Sequence, residues 1–371
     1  MGLFPALLPD IGRTQGLSDV ELGALAGAFG LARALSDVPV GAFAARALGR
    51  ALVAAPLALL AGVLCLAGGG SFPLLLLGRG LVGIGHSLSI LAGLTVILRL
   101  ENPGRTVMSL NVFEFGGMLG IVAGILLARV LPVSLSWRVL LLAAAVPHVL
   151  GLALVPAILR TLSALPSGRR PAEPVPVGRG RVAGGSSSRD ALLLLGAVML
   201  IAVTWSAATQ FVIPLRGTRQ FGLDRAGIAR VLLLAQLTDT ICLLPVGRFA
   251  DRFDARRLLA AVMLLFGAGI LLVSFGPVPL MVIGAVVLGV AIAGWMLPLV
   301  LLRRASGGSL ARRTALYRVA ADSGVFLGPF VPGLLGEPRL GITSVAIGVL
   351  LALGAVLFLA DPVRSVTAVE S

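Results

Sequence analysis

Eight charged or titratable side chains interrupt long apolar stretches of this sequence. They are Arg33, Asp37, Arg79, His86, Glu114, Asp239, Arg318 and Asp322. A charge inside a bilayer-spanning helix is costly, so such residues usually bind substrate, carry protons or pair with one another. We therefore treat each of the eight as a candidate functional residue.

Glu114 and Asp322 are the strongest candidates for proton coupling. They follow Arg105 and Arg313, each by nine residues. At 1.5 Å per residue, this spacing places both acids roughly 13 Å into a helix. A carboxyl group in low dielectric takes up a proton more readily than one in water. The alternative is that each acid pairs statically with an arginine and only holds helices together.

The elements that carry these residues are apolar runs of membrane-spanning length. The 371-residue chain is 58% hydrophobic and 12% charged, whereas soluble domains are about half apolar and about a quarter charged. Several runs reach the roughly 20 residues that span a bilayer. After a short apolar piece over residues 1–13, the runs cover residues 20–45, 51–67, 73–98, 106–130, 137–159, 191–215, 225–250, 258–275, 279–302, 314–335 and 340–360. The sequence therefore predicts an all-α polytopic membrane protein.

The two halves of the chain repeat each other in the same orientation. Pro39–Gly41 recurs as Pro245–Gly247, and further along Glu114 aligns with Asp322. Parallel repeats of this kind are typical of secondary transporters. We predict a six-helix bundle over residues 1–159, a linker over 160–190, a second bundle over 191–361 and a tail over 362–371. The repeat also predicts that roughly fifteen residues of the first helix are missing, through a misassigned start codon or a truncation; a half-helix lining a cavity is the alternative.

Arginines predict the orientation in the membrane. Most of those outside the runs share one side with the loop Gly247–Arg257, and basic loops face the cytoplasm. The prediction is a multi-pass protein of the cell inner (plasma) membrane with cytoplasmic N- and C-termini. The net charge of +14 then belongs to these loops and does not indicate nucleic acid. Two isolated cysteines, Cys65 and Cys242, give neither a zinc pattern nor a disulfide framework. We expect no metal and no cofactor.

The charged turn after Pro245 carries a family signature. Its matching residues are Gly247, Asp251, Arg252 and Arg256, in the pattern G-x-x-x-D-R-x-G-R-R, with Asp254 and Ala255 replacing a Gly-Arg pair and Arg257 following directly. On these residues the chain resembles the major facilitator superfamily over essentially its whole length. The resemblance implies twelve helices in two parallel six-helix bundles. It also implies that helices 3, 6, 9 and 12 lie outside a central path bordered by the other eight.

The same resemblance implies a cytoplasmic gate. In the first half Gly41, Arg46 and Arg50 remain of the signature, with Gly49 directly before Arg50, but Ala45 stands where its acid should be. We therefore expect closure to depend mainly on the second half. Helices 2 and 11 meet across the halves in this family, which adds Asp37 and Arg318. The predicted gate comprises Asp37, Arg318, Gly41, Arg46, Arg50, Gly247, Asp251, Arg252 and Arg256.

The remaining candidates have two interpretations each. Arg33–Asp37 and Arg318–Asp322 have i,i+4 spacing, so each pair can also form within its own helix; for Arg33 the choice between site and gate is open. Arg79 begins an R-x-x-x-G-x-G pattern that resembles proton-coupled members, so it could bind an anion or tune a proton site, or snorkel outward. His86 is a proton carrier or a packed residue. Asp239 aligns with Arg33 in the repeat, which could make the cavity electrically asymmetric.

These patterns predict a secondary transporter that works by rocker-switch alternating access. The expected activity is proton-coupled export of a small hydrophobic or amphipathic compound, with Glu114, Asp322, Asp239, Arg33, Arg79 and His86 as coupling or substrate residues. Proton-coupled uptake or exchange of a small organic anion is the alternative. A non-transporting or decayed membrane protein is the alternative of another class. We expect no enzymatic activity, a monomer, and three partners: substrate, protons and the lipid bilayer.

Overall fold

The computed structural model describes residues 2–100, 106–164, 188–304 and 310–360, and these residues form only helices and short connections. The helices of the first half are α1 (Leu3–Gln15), α2 (Asp19–Arg46), α3 (Leu48–Gly68), α4 (Phe72–Leu100), α5 (Thr106–Val130), α6 (Trp137–Ala143) and α7 (Val146–Ser163). Those of the second half are α8 (Ser188–Ala207), α9 (Ile213–Phe221), α10 (Arg225–Arg252), α11 (Ala255–Phe275), α12 (Val278–Ile292), α13 (Leu297–Arg304), α14 (Leu310–Leu335) and α15 (Leu340–Ala360).

The predicted runs reappear as helices, but three of them are broken. Counting residues 1–13 as the first run, the sixth run (137–159) divides into α6 and α7 just before Pro147, and the tenth run (279–302) divides into α12 and α13 just before Pro298. Proline has no N–H and its ring clashes with the preceding turn, so the helix is interrupted there. The seventh run contains a π-helical turn, Ala208–Val212, between α8 and α9.

Polar residues at the helix ends determine where the chain turns. Ser18 and Glu21 form a capping box at the start of α2. Asp224 caps α10, and Asp254 caps α11 by accepting hydrogen bonds from the N–H groups of Arg256 and Arg257. These caps satisfy N–H groups that lack partners within the helix. The departure of Asp254 from the family signature thus has a structural role.

Each half packs around its own helix pairs, and several helices meet across the halves. In the first half α4 lies against both α2 and α3; in the second α11 lies against α12 and α15. The most extensive contacts between the halves are those of α2 with α14 and of α5 with α10, and α1 also lies against α9 and α10. We call the surface at which α2 and α10 begin the Arg219 side, and the surface at which they end the Arg46 side.

Glycines allow the central helices to approach closely. A Cβ at Gly30 of α2 would lie 2.6 Å from the backbone nitrogen of Phe326 in α14. On its other side α14 meets α8 through Gly324 and Gly328. Helix α5 carries glycines at the same spacing, but a Cβ at Gly116 or Gly120 would meet nothing within 4 Å among the described residues. Sequence spacing does not reveal which face of a helix has a neighbour.

Nine helical stretches of the described residues are long and apolar enough to cross a membrane. The helices α2 and α14, with 28 and 26 residues, are long enough too but carry the charged candidates. At both ends of the predicted linker the helices continue, because α7 reaches Ser163 and α8 begins at Ser188. Residues 165–187 and the predicted tail lie outside the described residues. Gly2 borders a cavity inside the bundle.

Candidate functional site

Two ion pairs cross between α2 and α14, which belong to opposite halves. Arg33 Nη2 lies 2.9 Å from Asp322 Oδ1, and Arg318 Nε donates to Asp37 Oδ2 at 2.6 Å. Each helix therefore contributes one arginine and one aspartate, four residues apart. The acids pair across the interface, although the i,i+4 spacing would also have allowed pairs within each helix.

Helix α4 supports these crossed pairs from the side. Ser87 Oγ donates a hydrogen bond of 2.5 Å to Asp37 Oδ1. The ring of the neighbouring His86 packs against Phe29 of α2, with 5.5 Å between the ring centroids. His86 thus lies beside the pairs, and among the described residues no hydrogen bond of its ring is present. The structure places it next to the cluster in a packed position.

The crossed pairs are removed from solvent. Asp322 and Asp37 are 2% and 6% exposed. Asp322 Oδ2, Arg33 Nε and Arg318 Nη2 are buried without a hydrogen-bond partner in the described part of the chain. A buried charge pair is strongly destabilised when one partner leaves, because the remaining charge stays uncompensated. Separating α2 from α14 therefore requires that the four charges find other partners or that the acids take up protons.

A cavity of about 170 Å³ lies between the two halves, next to the crossed pairs. It is bordered by Gly2, Pro5, Ala26, Phe29, Arg33, Arg79, Ile121, Ile125, Trp205, Ser206, Thr209, Gln210, Leu232, Gln236 and Val325. These residues come from the first, second, fourth, fifth, seventh, eighth and eleventh runs. The helices of the third, sixth, ninth and twelfth runs contribute none of them, in agreement with the expected outer position of those helices.

Arg79 is buried at the wall of this cavity. It is 3% exposed, and its guanidinium carbon lies 3.8 Å from the ring centroid of Phe4 and 5.1 Å from that of Phe29. Its Nη2 donates a long hydrogen bond of 3.4 Å to Gln210 Oε1, and its Nε has no partner. No carboxylate within the described residues pairs with it. The Arg79 side chain therefore does not snorkel toward the surface.

Asp239 on α10 and Glu114 on α5 are the two acidic candidates outside the crossed pairs. Asp239 is 6% exposed and accepts a hydrogen bond of 2.9 Å from Gln236, while its Oδ1 has no partner in the described part of the chain. Glu114 lies on an exposed face of α5. The aligned acids Glu114 and Asp322 therefore have different surroundings: within the part of the chain that the structure describes, Asp322 has an arginine partner and Glu114 has none.

The predicted gate signature lies at the Arg46 side. Arg46, Arg50, Gly247 and Arg252 are exposed there, and Gly41 is half-buried. Arg256 Nη2 lies 3.6 Å from Asp190 Oδ2, a contact within the second half. The Asp251 side chain lies outside the described residues. Among the described residues, the crossed pairs of α2 and α14 are the ion pairs that join the two halves on the Arg46 side in this conformation.

The structure also shows a cluster at the Arg219 side that the sequence did not point to. Arg219 Nη2 lies 2.7 Å from Asp19 Oδ1 of α2, and Arg219 Nη1 lies 3.1 Å from Glu337 Oε2. The backbone N–H of Glu337 donates to Asp19 Oδ2 at 3.1 Å. These three residues, which we call the outer clamp, join the two halves. The opposite charges of these residues were the available sequence signal for a contact, but no motif or spacing in the sequence connected them.

Arg225 adds a second contact between the halves on the same side. Its side chain is 1% exposed and donates to the carbonyl oxygens of Pro132 and Leu135, at 2.5 and 3.0 Å, in the loop after α5. Its Nη1 also lies 3.9 Å from Asp10 Oδ2 of α1. The Arg219 side is therefore closed by side chains of the second half that bind the first.

The amino-acid sequence matches a known family over both halves of the chain. A family model described as Major Facilitator Superfamily matches residues 1–229 and, in a second overlapping match, residues 191–370. The chain belongs to the Major Facilitator Superfamily. It is a multi-pass membrane protein of this transporter superfamily, as the resemblance of its signature indicates.

Solved structures of other superfamily transporters share the fold. A mutant of the nucleoside transporter NupG is 13% identical, with a TM-score of 0.72 over 96% of this chain and 95% of that chain. A mutant of the peptide transporter POT with alafosfalin is 15% identical, with a TM-score of 0.74 over 97% and 90%. A bacterial homolog of the human lysosomal transporter Spinster, inward-facing and unoccupied, is 17% identical, with a TM-score of 0.69 over 97% and 91%. At these identities the similarity shows the fold alone.

Proposed function

We propose that this superfamily member is a secondary active transporter in which proton binding and helix separation are linked. The crossed pairs of α2 and α14 carry the proposal. Alternating access moves the two halves apart at one side at a time, and opening the Arg46 side would separate Arg33 from Asp322 and Arg318 from Asp37. Because these charges are buried, separation without compensation is expensive. A proton on Asp322 removes one charge and lowers that cost.

The cavity beside the pairs supports a small amphipathic substrate. Its walls are largely apolar, with Phe29, Ile125 and Trp205 among them, and its polar groups are few. Ligand pockets for drug-sized molecules usually enclose roughly 300–1,000 Å³. The cavity of about 170 Å³ is smaller, which favours a small ligand in this conformation.

We further propose that the Arg46 side faces the cytoplasm and that substrate leaves the cell in exchange for protons. Arginine-rich loops on that side support the orientation. The direction follows from the expectation of exchange, in which an inward proton gradient drives exclusion. Cotransport of proton and substrate in the same direction would produce accumulation, and one assay separates the two.

The test uses purified full-length protein in vesicles loaded with a mixture of small amphipathic compounds from a bacterial extract. A pH gradient is imposed, and mass spectrometry compares the vesicle contents with those of protein-free vesicles. We expect at least one compound to redistribute with the gradient, and a protonophore to abolish the effect. The sign of the redistribution reports export or uptake.

Carboxylate variants assign the coupling. Asp322→Asn should retain gradient-independent exchange and lose most of the gradient-driven redistribution, roughly tenfold or more, because its neutral side chain cannot exchange a proton. Glu114→Gln tests the second predicted carrier in the same way. Asp224→Asn is the matched control, since asparagine also caps helices well. Gradient-driven transport that survives in both Asp322→Asn and Glu114→Gln would contradict the coupling, and no redistribution by wild type would contradict transport.

A further inference from the structure

We infer that Arg79 is the binding site for the anionic group of a small, largely apolar substrate. This inference rests on the proposed transport function and names the substrate class of its cavity. It starts from the charge of the cavity wall. Two arginines border the cavity, whereas none of its described lining residues is an aspartate or glutamate.

The two arginines are not equivalent. Arg33 has a carboxylate partner, Asp322, at 2.9 Å. Arg79 has none among the described residues, although its side chain is almost wholly buried. Burying an unpaired charge is costly, and the faces of Phe4 and Phe29 offset only part of that cost by cation–π attraction. The unpaired positive charge of Arg79 is therefore available to a ligand that binds reversibly.

The hydrogen-bonding capacity of Arg79 is also mostly unused. A guanidinium offers five N–H donors, arranged to bind the two oxygens of a carboxylate. Here one long contact to Gln210 is present, and Nε is buried without a partner. Aromatic rings cover the face of the guanidinium, which leaves donors at its edge. This arrangement is suited to a planar anion such as a carboxylate.

The π-helical turn of the seventh run brings a second donor to the same place. Gln210 lies in the turn Ala208–Val212, and π turns inside helices often occur at functional sites. Its Oε1 accepts from Arg79, so its NH₂ group can donate to the same ligand. Gln236 of α10 also borders the cavity and donates to Asp239, and thereby satisfies one oxygen of that carboxylate.

Apolar walls distinguish an organic anion from an inorganic one. Phe29, Ile121, Ile125 and Leu232 border the cavity near the arginines and cannot replace the hydration of a compact ion such as sulfate. They can cover a ring or a short alkyl chain. The geometry therefore points to an amphipathic monoanion, with its charge at Arg79 and its apolar body against these side chains.

Equilibrium binding to the full-length protein in lipid nanodiscs tests this inference. The probes are benzoate, its uncharged isostere benzamide, and sulfate, measured by calorimetry and by the fluorescence of Trp205 at the cavity wall. We expect saturable benzoate binding, with benzamide and sulfate each weaker by about tenfold or more. Benzamide binding as tightly as benzoate, or no benzoate binding to folded wild type, would overturn the inference. Sulfate binding as tightly as benzoate would overturn the organic class.

Variants then assign the charge to one residue. Arg79→Gln should weaken benzoate binding about tenfold or more and leave benzamide binding unchanged. Arg79→Lys keeps the charge but not the planar fork, so it should lose less. Arg13→Gln, whose exposed side chain pairs with Asp10 away from the cavity, should bind as wild type does. Undiminished benzoate binding by Arg79→Gln refutes the assignment. If that variant does not fold, the comparison of Arg79→Lys with wild type decides.

The readout separates this inference from the proposed function. Binding is measured without a gradient and does not require transport, whereas the function is tested by gradient-driven redistribution. If benzoate does not bind but gradient-driven transport is present, the protein is a transporter that recognises its substrate elsewhere. If benzoate binds but gradient-driven transport is absent, the protein is an anion-binding membrane protein without proton-driven transport.

Discussion

At the scale of single residues, the charges on α2 and α14 work as two pairs that depend on each other. Each aspartate lies four residues from an arginine of its own helix, yet each takes its partner from the opposite helix. Both pairs are largely buried, so their main effect is on the cost of separation. A buried pair contributes little net stability compared with apolar residues, but an orphaned member is strongly destabilising.

This dependence can be measured at Asp37 and Arg318. Arg318→Gln leaves Asp37 buried with Ser87 as its one remaining hydrogen-bond donor among the described residues, and Asp37→Asn leaves Arg318 without its carboxylate. Each single change should lower the melting temperature of the purified protein. The double variant should recover much of the loss, with a coupling free energy of about 1–3 kcal/mol.

The exposed pair of Arg13 with Asp10 is the matched control. A solvent-exposed pair contributes only about 0.2–1 kcal/mol, so Arg13→Gln should change the melting temperature little. Strictly additive effects of Asp37→Asn and Arg318→Gln would show that the two side chains do not interact.

At the scale of helices, glycine determines which elements can touch. In α2 the glycines at positions 23, 27 and 30 face the backbone of α14, and in α14 Gly324 and Gly328 face α8. Small residues permit this approach, which membrane helices use because apolar burial alone does not favour helix contact over lipid. The same residue type in α5 faces open space at Gly116 and Gly120.

Alanine substitutions should therefore have opposite effects in the two helices. At Gly30 the new Cβ would lie 2.6 Å from the backbone nitrogen of Phe326 and 2.9 Å from the backbone carbonyl oxygen of Asp322. Gly30→Ala should therefore destabilise the folded protein by about 1–3 kcal/mol. Gly116→Ala meets no neighbour and should be neutral or stabilise by roughly 0.5–1 kcal/mol through helix propensity. Thermal unfolding of both variants in one detergent provides the comparison. Equal melting temperatures would mean that α2 and α14 are not held at this distance.

At the scale of the whole molecule, the two halves are joined on both sides of the cavity by charged groups. The crossed pairs lie toward the Arg46 side, and the outer clamp closes the Arg219 side. In the proposed alternating access, one set of contacts weakens while the other holds. The balance between the two sets would then determine which side opens more often.

Removal of the clamp arginine should shift this balance. Arg219→Gln removes the ion pairs to Asp19 and Glu337, which together are worth about 0.4–2 kcal/mol. The population open on the Arg219 side should rise roughly twofold or more. Spin labels at Val20 of α2 and Leu280 of α12, in a background without native cysteines, report the distance between the halves on that side.

Arg13→Gln, on the same side but paired within the first half, is the control and should leave the distance distribution unchanged. If Arg219→Gln gives the wild-type distribution, the clamp does not hold this side closed and Arg225 becomes the residue to test. Its buried side chain makes contacts with backbone carbonyls that persist in the Arg219 variant.

Hydropathy, proline and the internal repeat predict the class of protein and the helical runs, because these properties are local in the chain. The outer position of four helices is what the family resemblance implies. The charged residues can be located in the sequence, but their partners depend on the tertiary structure. Asp37 and Arg318 are separated by 281 positions, and their pairing depends on how closely α2 and α14 approach. For the same reason the sequence could not show that Arg79 has no carboxylate partner among the described residues, or that Asp19, Arg219 and Glu337 meet.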